Sequence, residues 1–357
     1  MKIVFFCKRR PLGKDLLTRP YGRFYYLPKL LAERGHDIHI ALLSYKKDRK
    51  ENLVRDGIHW TSASIPAANP LRYISDAHQL VKNIQPDWIG GLSDTWYGIL
   101  AQRLGQHYKI NTLIDAYDNF ESYIPWLKPL HSAWRRSLSR ATLVTAAGPN
   151  LAELLGQYRT GKPTITIPMA ADPFSFKPME QSRCRQKLGL PANRKLVGYC
   201  GSISGSRGIQ VLFSAVRQLK QETEDVELVL AGRKDRSITL PPDAIWLGNV
   251  ADEKVPLVFN SLDILTVINK SSAFGNFSYP VKLYEAMSCQ VPVIATRTPA
   301  TKWILKDNDD LLVDPGDADQ LCMAIKHLLN TRRSGYDSQP DWHDNCDRLE
   351  QALKDHG

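Results

Sequence analysis

Short β-branched runs and amphipathic stretches take turns along this chain. KIVFFC (2–7), DIHIAL (37–42), DWIGGL (87–92), NTLIDA (111–116), ATLVTAA (141–147) and TITIP (164–168) have the near-continuous apolar character of strands covered on both faces. Between them, FYYLPKLLAERGH (24–36), DAHQLVKNIQ (76–85), TWYGILAQRLG (95–105) and NLAELLGQY (150–158) set apolar residues at helical spacing. Alternation of this kind predicts parallel βα units, and so one Rossmann-like α/β domain over 1–167.

The rhythm lapses at PMAADPFSFKPME, whose prolines and lack of period predict a linker over 168–180. It resumes with strands KLVGYCG (195–201), VELVLAG (226–232), AIWLGNV (244–250), ILTVIN (264–269), VPVIAT (291–296) and DLLVD (310–314), and with helices IQVLFSAVRQLKQ (209–221) and DADQLCMAIKHLLN (317–330). A second Rossmann-like domain over 181–335 is therefore expected, and 357 residues are enough for two cores. Beyond polar RRSGYDSQP (332–340), the tail places Trp342, Cys346, Leu349 and Leu353 at spacings of 4, 3 and 4, one apolar face of a last helix within 336–357. That stripe must dock, and two dockings stand open: on the second domain, or back on the first.

Composition adds a bias in charge. The chain is 43% apolar and 24% charged, which fits a folded globule and excludes disordered and fibrous classes. Residues 1–167 hold 24 Lys and Arg against 13 Asp and Glu, whereas the remainder is nearly neutral. A cationic first domain fits either an anionic partner surface or a solvated basic face. The six cysteines, at 7, 184, 200, 289, 322 and 346, show no metal-ligand spacing, and the opening MKIVFFCKRR is too short in apolar residues for a signal peptide or a membrane span. A reducing, cytoplasmic location is expected.

Candidate chemistry gathers in the second half. GSISGSRG, Gly201 to Gly208, joins a strand to a helix, where backbone N–H groups can meet an anion and Arg207 can add a bidentate donor. It is neither GxGxxG nor GxxxxGK[ST], which disfavours dinucleotide oxidoreductases and P-loop NTPases. Further on, YPVKLYEAMSCQVPVIAT (279–296) predicts a short helix with Pro280 in its first turn, feeding a buried strand. Lys282 and Glu285, three apart, share one helix face: either an ordinary ion pair, or a phosphate contact beside a carboxylate that accepts from ribose hydroxyls.

These motifs, in this order, resemble a glycosyltransferase of the GT-B fold, in the large retaining group known as family 4. RGHDIHIALL is similar to the family's RGHxVxVxT run, ITIPMAADPFSF to its IPNGVDxxxF linker, GSISGSRG to its GRLxxxKG loop and LVLAGRKD to its LxIxGxG strand. IWLGNVADEKVPLVFNSLDILTV and YPVKLYEAMSCQVPVIAT follow its FxGxVxxxELPxxYxxADVxVxPS and PxKxxEAMAxGxPVIAT forms, and Trp342 falls where the family's last, domain-crossing helix begins. The resemblance covers most of the chain and is densest from 195 to 330. It implies two Rossmann-like domains facing across a cleft, with a nucleotide-sugar donor on the second.

Residue by residue, it implies that Arg207 contacts the diphosphate, that Glu285 contacts the donor ribose, and that Gly201 and Gly232 are close-approach positions around the nucleotide. The chain also departs from the family. Ser202 stands at its first basic loop position, so Lys282 is expected to supply the second cation. Phe277 stands at the first Glu of its ExxxxxxxE pattern, and Tyr117, followed by Asp118, where a His is often found. RPYGRF lacks the N-terminal glycine pair and leaves Gly22 alone.

The expected reaction is transfer of a sugar to an acceptor hydroxyl with retention, in assembly of a cell-surface polysaccharide or glycolipid. Arg207 and Lys282 would stabilise the departing diphosphate and Asp118 would orient sugar hydroxyls, with no metal or other cofactor, no DxD motif being apparent in a plausible loop. The expected acceptor is lipid-linked or a glycan, met at the cytoplasmic face of an anionic membrane. There YIPWLKPLHSAWRRSLSR (123–140) offers Trp126 and Trp134 with Lys128, Arg135, Arg136 and Arg140, unless those tryptophans pack inside. A nucleotide-sugar epimerase of the same fold is the first alternative. A nonenzymatic binder of anionic polymers is the second, although no nucleic-acid-binding signature is present.

Overall fold

The computed structural model describes residues 1–65, 70–223, 225–306, 308–331, 335–336 and 339–357, so the polar segment 332–340 lies partly outside the described residues. The chain forms two compact units, Met1–Met169 with Pro340–Gly357, and Ala170–Gln339. Each is α/β, with a parallel sheet at its centre.

The first unit contains β1 (Lys2–Lys8), α1 (Arg23–Glu33), β2 (Asp37–Ser44), β3 (Glu51–Arg55), β4 (Ile58–Ser64), α2 (Pro70–Ile84), β5 (Trp88–Leu92), α3 (Thr95–Tyr108), β6 (Asn111–Ala116), α4 (Lys128–Arg140), β7 (Leu143–Ala146), α5 (Pro149–Gly156) and β8 (Thr164–Thr166). Its sheet runs β3-β4-β2-β1-β5-β6-β7-β8 and is parallel except where β3 pairs antiparallel with β4. Helices cover both faces, which is why β1 between its terminal lysines, and all of β5, are apolar rather than alternating. On one face Val4, Phe6, Ala41, Leu43 and Ile89 meet Tyr73, Ala77 and Val81 of α2 and Tyr97, Ala101 and Leu104 of α3.

Hairpin β3–β4 is the main element that hydrophobic pattern misses. Its turn is Asp56-Gly57, both at positive φ (54° and 73°), and the sequence signal was there in DG between two runs of β-formers. Helix α4 is also missing from the expected elements, and elsewhere in this unit the differences are at ends. Helix α1 stops at Glu33, because Gly35 (φ 85°) turns the chain out of the helix.

A buried ion pair ties this unit together. Arg23, first residue of α1, donates from Nε and Nη2 to both oxygens of Asp115 on β6 (2.9 and 2.6 Å), with side chains only 1% and 5% exposed. Thr145 of β7 donates to the same carboxylate at 2.6 Å, and Arg23 Nη1 reaches the carbonyl of Ile167 at 3.0 Å.

The second unit contains α6 (Gln181–Leu188), β9 (Lys195–Cys200), α7 (Ile209–Glu222), β10 (Val226–Ala231), β11 (Ile245–Trp246), α8 (Val255–Ser261), β12 (Ile264–Val267), α9 (Val281–Ser288), β13 (Val293–Thr296), α10 (Pro299–Ile304), β14 (Leu312–Val313) and α11 (Ala318–Thr331). Its parallel sheet is ordered β11-β10-β9-β12-β13-β14. The strand expected over 244–250 shrinks to two residues, since the carbonyl of Gly248 is taken by Gly232 N–H (2.7 Å) and Gly248 itself turns at φ 68°.

The last helix, α12 (Trp342–His356), belongs to the first unit. The four residues of its apolar stripe are all buried, and Trp342 stacks on Tyr26 of α1 (ring centroids 5.5 Å apart, planes at 13°). Arg34 pairs with Asp347 (2.6 Å) and Glu350 (2.9 Å), His36 meets Glu350 at 3.1 Å, and Asn345 donates to the carbonyl of Pro168 at 3.1 Å. Among the described residues no helix is long and apolar enough to cross a membrane.

Glu350 gives this docking a pH dependence. Its carboxyl is held down to about 2 by Lys354 first, and by Arg34 and His36. A depressed folded pKa means stabilisation that is complete above the unfolded value of ~4.3 and is lost as pH falls toward the folded one. The stability gap between wild type and Glu350→Gln, measured by urea unfolding, should be present at pH 6 and close between about pH 4.3 and 2.

Candidate active site

In an open parallel sheet, ligands collect at the carboxyl ends of strands where the strand order reverses. In the second unit that point is β9, flanked by β10 and β12. Beyond β9 the chain enters Gly201 at φ 149°, and beyond β10 it enters Gly232 at φ 129°. The two turns press backbone on backbone: a Cβ on Gly232 would lie 2.0 Å from the Gly201 carbonyl oxygen, and one on Gly201 would lie 2.2 Å from Lys282 Nζ. Glycine is required at both, and the Lys282 ammonium sits directly against the start of the loop.

The loop is fixed along its length. Ile203 exchanges backbone hydrogen bonds with the segment after β10, accepting from Asp235 N–H (3.0 Å) and donating to the Arg233 carbonyl (2.9 Å). A single 3-10 turn, Gly205–Arg207, follows, and Gly208 at φ 79° starts α7 without a side chain to cap it. Arg207 is aimed by two neighbours, donating from Nη1 to Asn269 Oδ1 (3.0 Å) while its guanidinium lies 4.9 Å from the Phe274 ring centroid. Asn269 is buried and its own N–H is held by Thr296 Oγ1 at 3.1 Å. The stem of Lys270 passes Gly208, 3.2 Å from where a Cβ would be.

Helix α9 corrects one detail of the sequence reading. Pro280 has extended ψ (112°) and precedes the helix as its cap residue, so Val281 opens the first turn and Glu285 lies one residue nearer the helix start than Pro280 at the first helical position would place it. Leu283, Tyr284, Ala286 and Met287 form its buried face, leaving Lys282 and Glu285 half-buried on the other. Gly201, Arg207, Gly232 and Lys282 are thus gathered at one crevice with Ser202, whose carbonyl accepts from the Tyr199 hydroxyl (2.9 Å). Asn269, Lys270 and Phe274 are additions. They sit past β12, which only the sheet order reveals as the neighbour of β9.

Asp118 lies in the first unit, past β6, buried and accepting from the Tyr123 hydroxyl at 2.6 Å. Tyr117 is framework, packed edge-on against Phe24 and Phe120 at 5.3 Å each. Gly22 caps α1 at φ 67°. The reversal point of this sheet is β1, and there Ser93 takes a positive φ of 75°, accepts from Lys8 N–H (3.0 Å) and precedes Asp94, which caps α3 through Trp96 N–H (2.9 Å). Burial pushes the Asp94 carboxyl up. A left-handed residue without glycine's freedom is the mark that motif reading passed over.

Two expectations for 123–140 change. Trp134 is 1% exposed, packed on Gly98 of α3, so it is not an interfacial aromatic, whereas Trp126 is 76% exposed. Arg135 is engaged by Glu121 (2.8 and 2.6 Å). Much of the basic excess is likewise framework: Arg9 and Arg10 pair with Asp15, Asp48 and Glu51, and buried Arg159 donates to the Ala141 and Thr142 carbonyls, burial pulling its pKa down to about 10.

Comparisons with known proteins agree over both halves. A family model described as "Glycosyl transferases group 1" matches residues 194–331, and one described as "Glycosyl transferase 4-like domain" matches residues 23–169. A D-inositol 3-phosphate glycosyltransferase of Arthrobacter sp. (strain FB24) is 29% identical over 195 residues, which is 50% of this chain and 45% of that protein. The chain thus spans about half the length of the curated relatives it matches. Among solved structures, sucrose-phosphate synthase from Thermosynechococcus elongatus superposes with a TM-score of 0.76 at 16% identity, covering 99% of this chain and 94% of that one. HepE of Anabaena in complex with UDP superposes with a TM-score of 0.73 at 16% identity, covering 99% and 96%. At such identities the likeness is one of fold.

The glycine contact gives a direct test. Gly232→Ala forces a Cβ into the Gly201 carbonyl and strains a positive φ, so it should destabilise the second unit by roughly 1–3 kcal/mol. Urea unfolding of the variant beside wild type would check this.

Proposed function

The chain belongs to the family-4-like GT-B glycosyltransferases, and on that premise we propose that it moves a hexose from a nucleoside-diphosphate donor to an acceptor hydroxyl, with retention, in assembly of a surface polysaccharide or glycolipid. One observation carries the donor half: the Lys282 ammonium lies against Gly201 at the carboxyl end of the central strand, on the same loop as Arg207. Two fixed cations beside the uncapped start of α7 form a cradle for a diphosphate. HepE, which shares the fold, holds UDP, and this supports UDP as the first donor nucleotide to try.

As the glycosidic bond breaks, charge grows on the leaving diphosphate while the sugar gains oxocarbenium character. Cations already in place stabilise that change without reorganising. Arg207, held by Asn269 and Phe274, and Lys282 have this role, and no metal is required. Glu285, one turn beyond Lys282, accepts from the ribose hydroxyls. The departing phosphate takes the acceptor proton, and Asp118 orients sugar hydroxyls.

The acceptor is lipid-linked or an anionic glycan, met through the first unit at the inner face of the membrane. Exposed Trp126 and the outward cations Lys128, Arg136 and Arg140 support this reading.

Two outcomes test the proposal. Glu285→Gln should lower kcat/KM at subsaturating donor by about 10- to 100-fold, the cost of a charged hydrogen bond, while Lys282→Ala should lower kcat as well as affinity, because leaving-group charge peaks in the transition state. Initial rates with radiolabelled UDP-sugars measure both, and unchanged turnover in either variant refutes its role. The protein should also sediment with anionic vesicles at low salt and be released at high salt. Equal recovery with neutral vesicles, or none, would favour a soluble acceptor.

A further inference from the structure

The amino ends of β2 and β4 carry a cluster with no part in the donor site. Parallel pairing sets His39 opposite His59, and the two-residue period of a strand places Asp37 on the same face as His39. The imidazole rings stack with centroids 4.6 Å apart and planes at 12°, and His39 Nε2 lies 2.9 Å from Asp37 Oδ1. One ligand atom from each of the three lies within 4.8 Å of the other two, and among the described residues no other trio of His, Cys, Asp or Glu does so.

We propose that Asp37, His39 and His59 bind a divalent transition-metal ion of the zinc class, which clamps β2 to β4. Two imidazoles and a carboxylate are a donor set that such ions favour, with bonds of ~2.0–2.2 Å and so tetrahedral edges of about 3.3 Å. The Asp37–His39 separation is already close to such an edge, and the metal takes the place of the proton shared between them. His59 is exposed and the Asp37 side chain is 43% exposed, so the His59 ring has room to turn out of the stack and bring a nitrogen to the ion, and water can fill the fourth position.

A ligand imidazole must be neutral. Burial pushes the His39 pKa down, Asp37 opposes that, and His59 and Lys2 add to it. Lys2, register partner of Asp37 on β1, is the one facing charge in this set that opposes a cation, and Val54 lies across from His59 on β3. Because β2 begins at Asp37, the site stands at the end of the sheet opposite the loops that collect substrates. Its role is therefore stability of the first unit and not sugar transfer.

Untagged protein, stripped with a chelator and titrated with Co²⁺ and then Zn²⁺, decides the matter. Co²⁺ should produce the visible absorption of a tetrahedral N/O site at about one ion per chain, and Zn²⁺ should raise the melting temperature. His59→Asn, an exposed change, should keep the fold and sugar transfer, remove the absorption and weaken binding by at least about tenfold. Asp37→Asn should act in the same direction. Wild type that takes up no ion, or a folded His59→Asn protein with unchanged uptake, overturns the proposal.

Discussion

Backbone against backbone is the constraint around which the candidate site of the second unit is arranged. Gly201 and Gly232 leave adjacent strands and meet so closely that a methyl group on Gly232 would strike the Gly201 backbone, while one on Gly201 would strike the end of Lys282. That contact lowers the wall of the crevice and lets the Lys282 side chain come over the loop from a helix far away in sequence. Polar groups then lock what the glycines allow. Asn269 and Phe274 hold Arg207 from one side, and the Ile203 hydrogen bonds fix the loop from the other. The cations are placed before any ligand arrives, so little of the electrostatic gain is lost to ordering side chains.

The first unit is organised by a different device. Arg23 and Asp115 are almost wholly excluded from water, and such a pair repays its desolvation only when its geometry is good and its remaining valences are used. Here both conditions hold, since Thr145 donates to the carboxylate and Arg23 Nη1 donates to the Ile167 carbonyl and to Met169 Sδ. The result links the start of α1 to the strands on the far side of β1. A hydrophobic contact of equal area would hold these elements together without fixing the angle at which α1 starts.

Most of the fold was legible because parallel strands covered on both faces are written as plain apolar runs. NTLIDA, for example, became β6 with the same bounds. What pattern could not supply was adjacency. Nothing in INKSSAF says that it follows the strand beside β9, so Asn269, Lys270 and Phe274 were invisible as site residues until the sheet was ordered, whereas GSISGSRG and YPVKLYE announced themselves by residue type. Trp134 shows the converse limit. Tryptophan beside arginine reads as interfacial, yet a Gly98 opposite it makes a slot, and the ring goes inside.

The return of α12 to the first unit means that the second unit is, in connectivity, an insertion between Met169 and Pro340. On a ribosome, domains generally complete in the order in which they emerge. Here that order is inverted: residues 170–339 can close their core while the first unit still lacks the helix that covers Tyr26 and pairs with Arg34. Until residues 342–356 are made, that apolar face of α1 stays open to chaperones and to other nascent chains, so assembly of the unit made first is finished last.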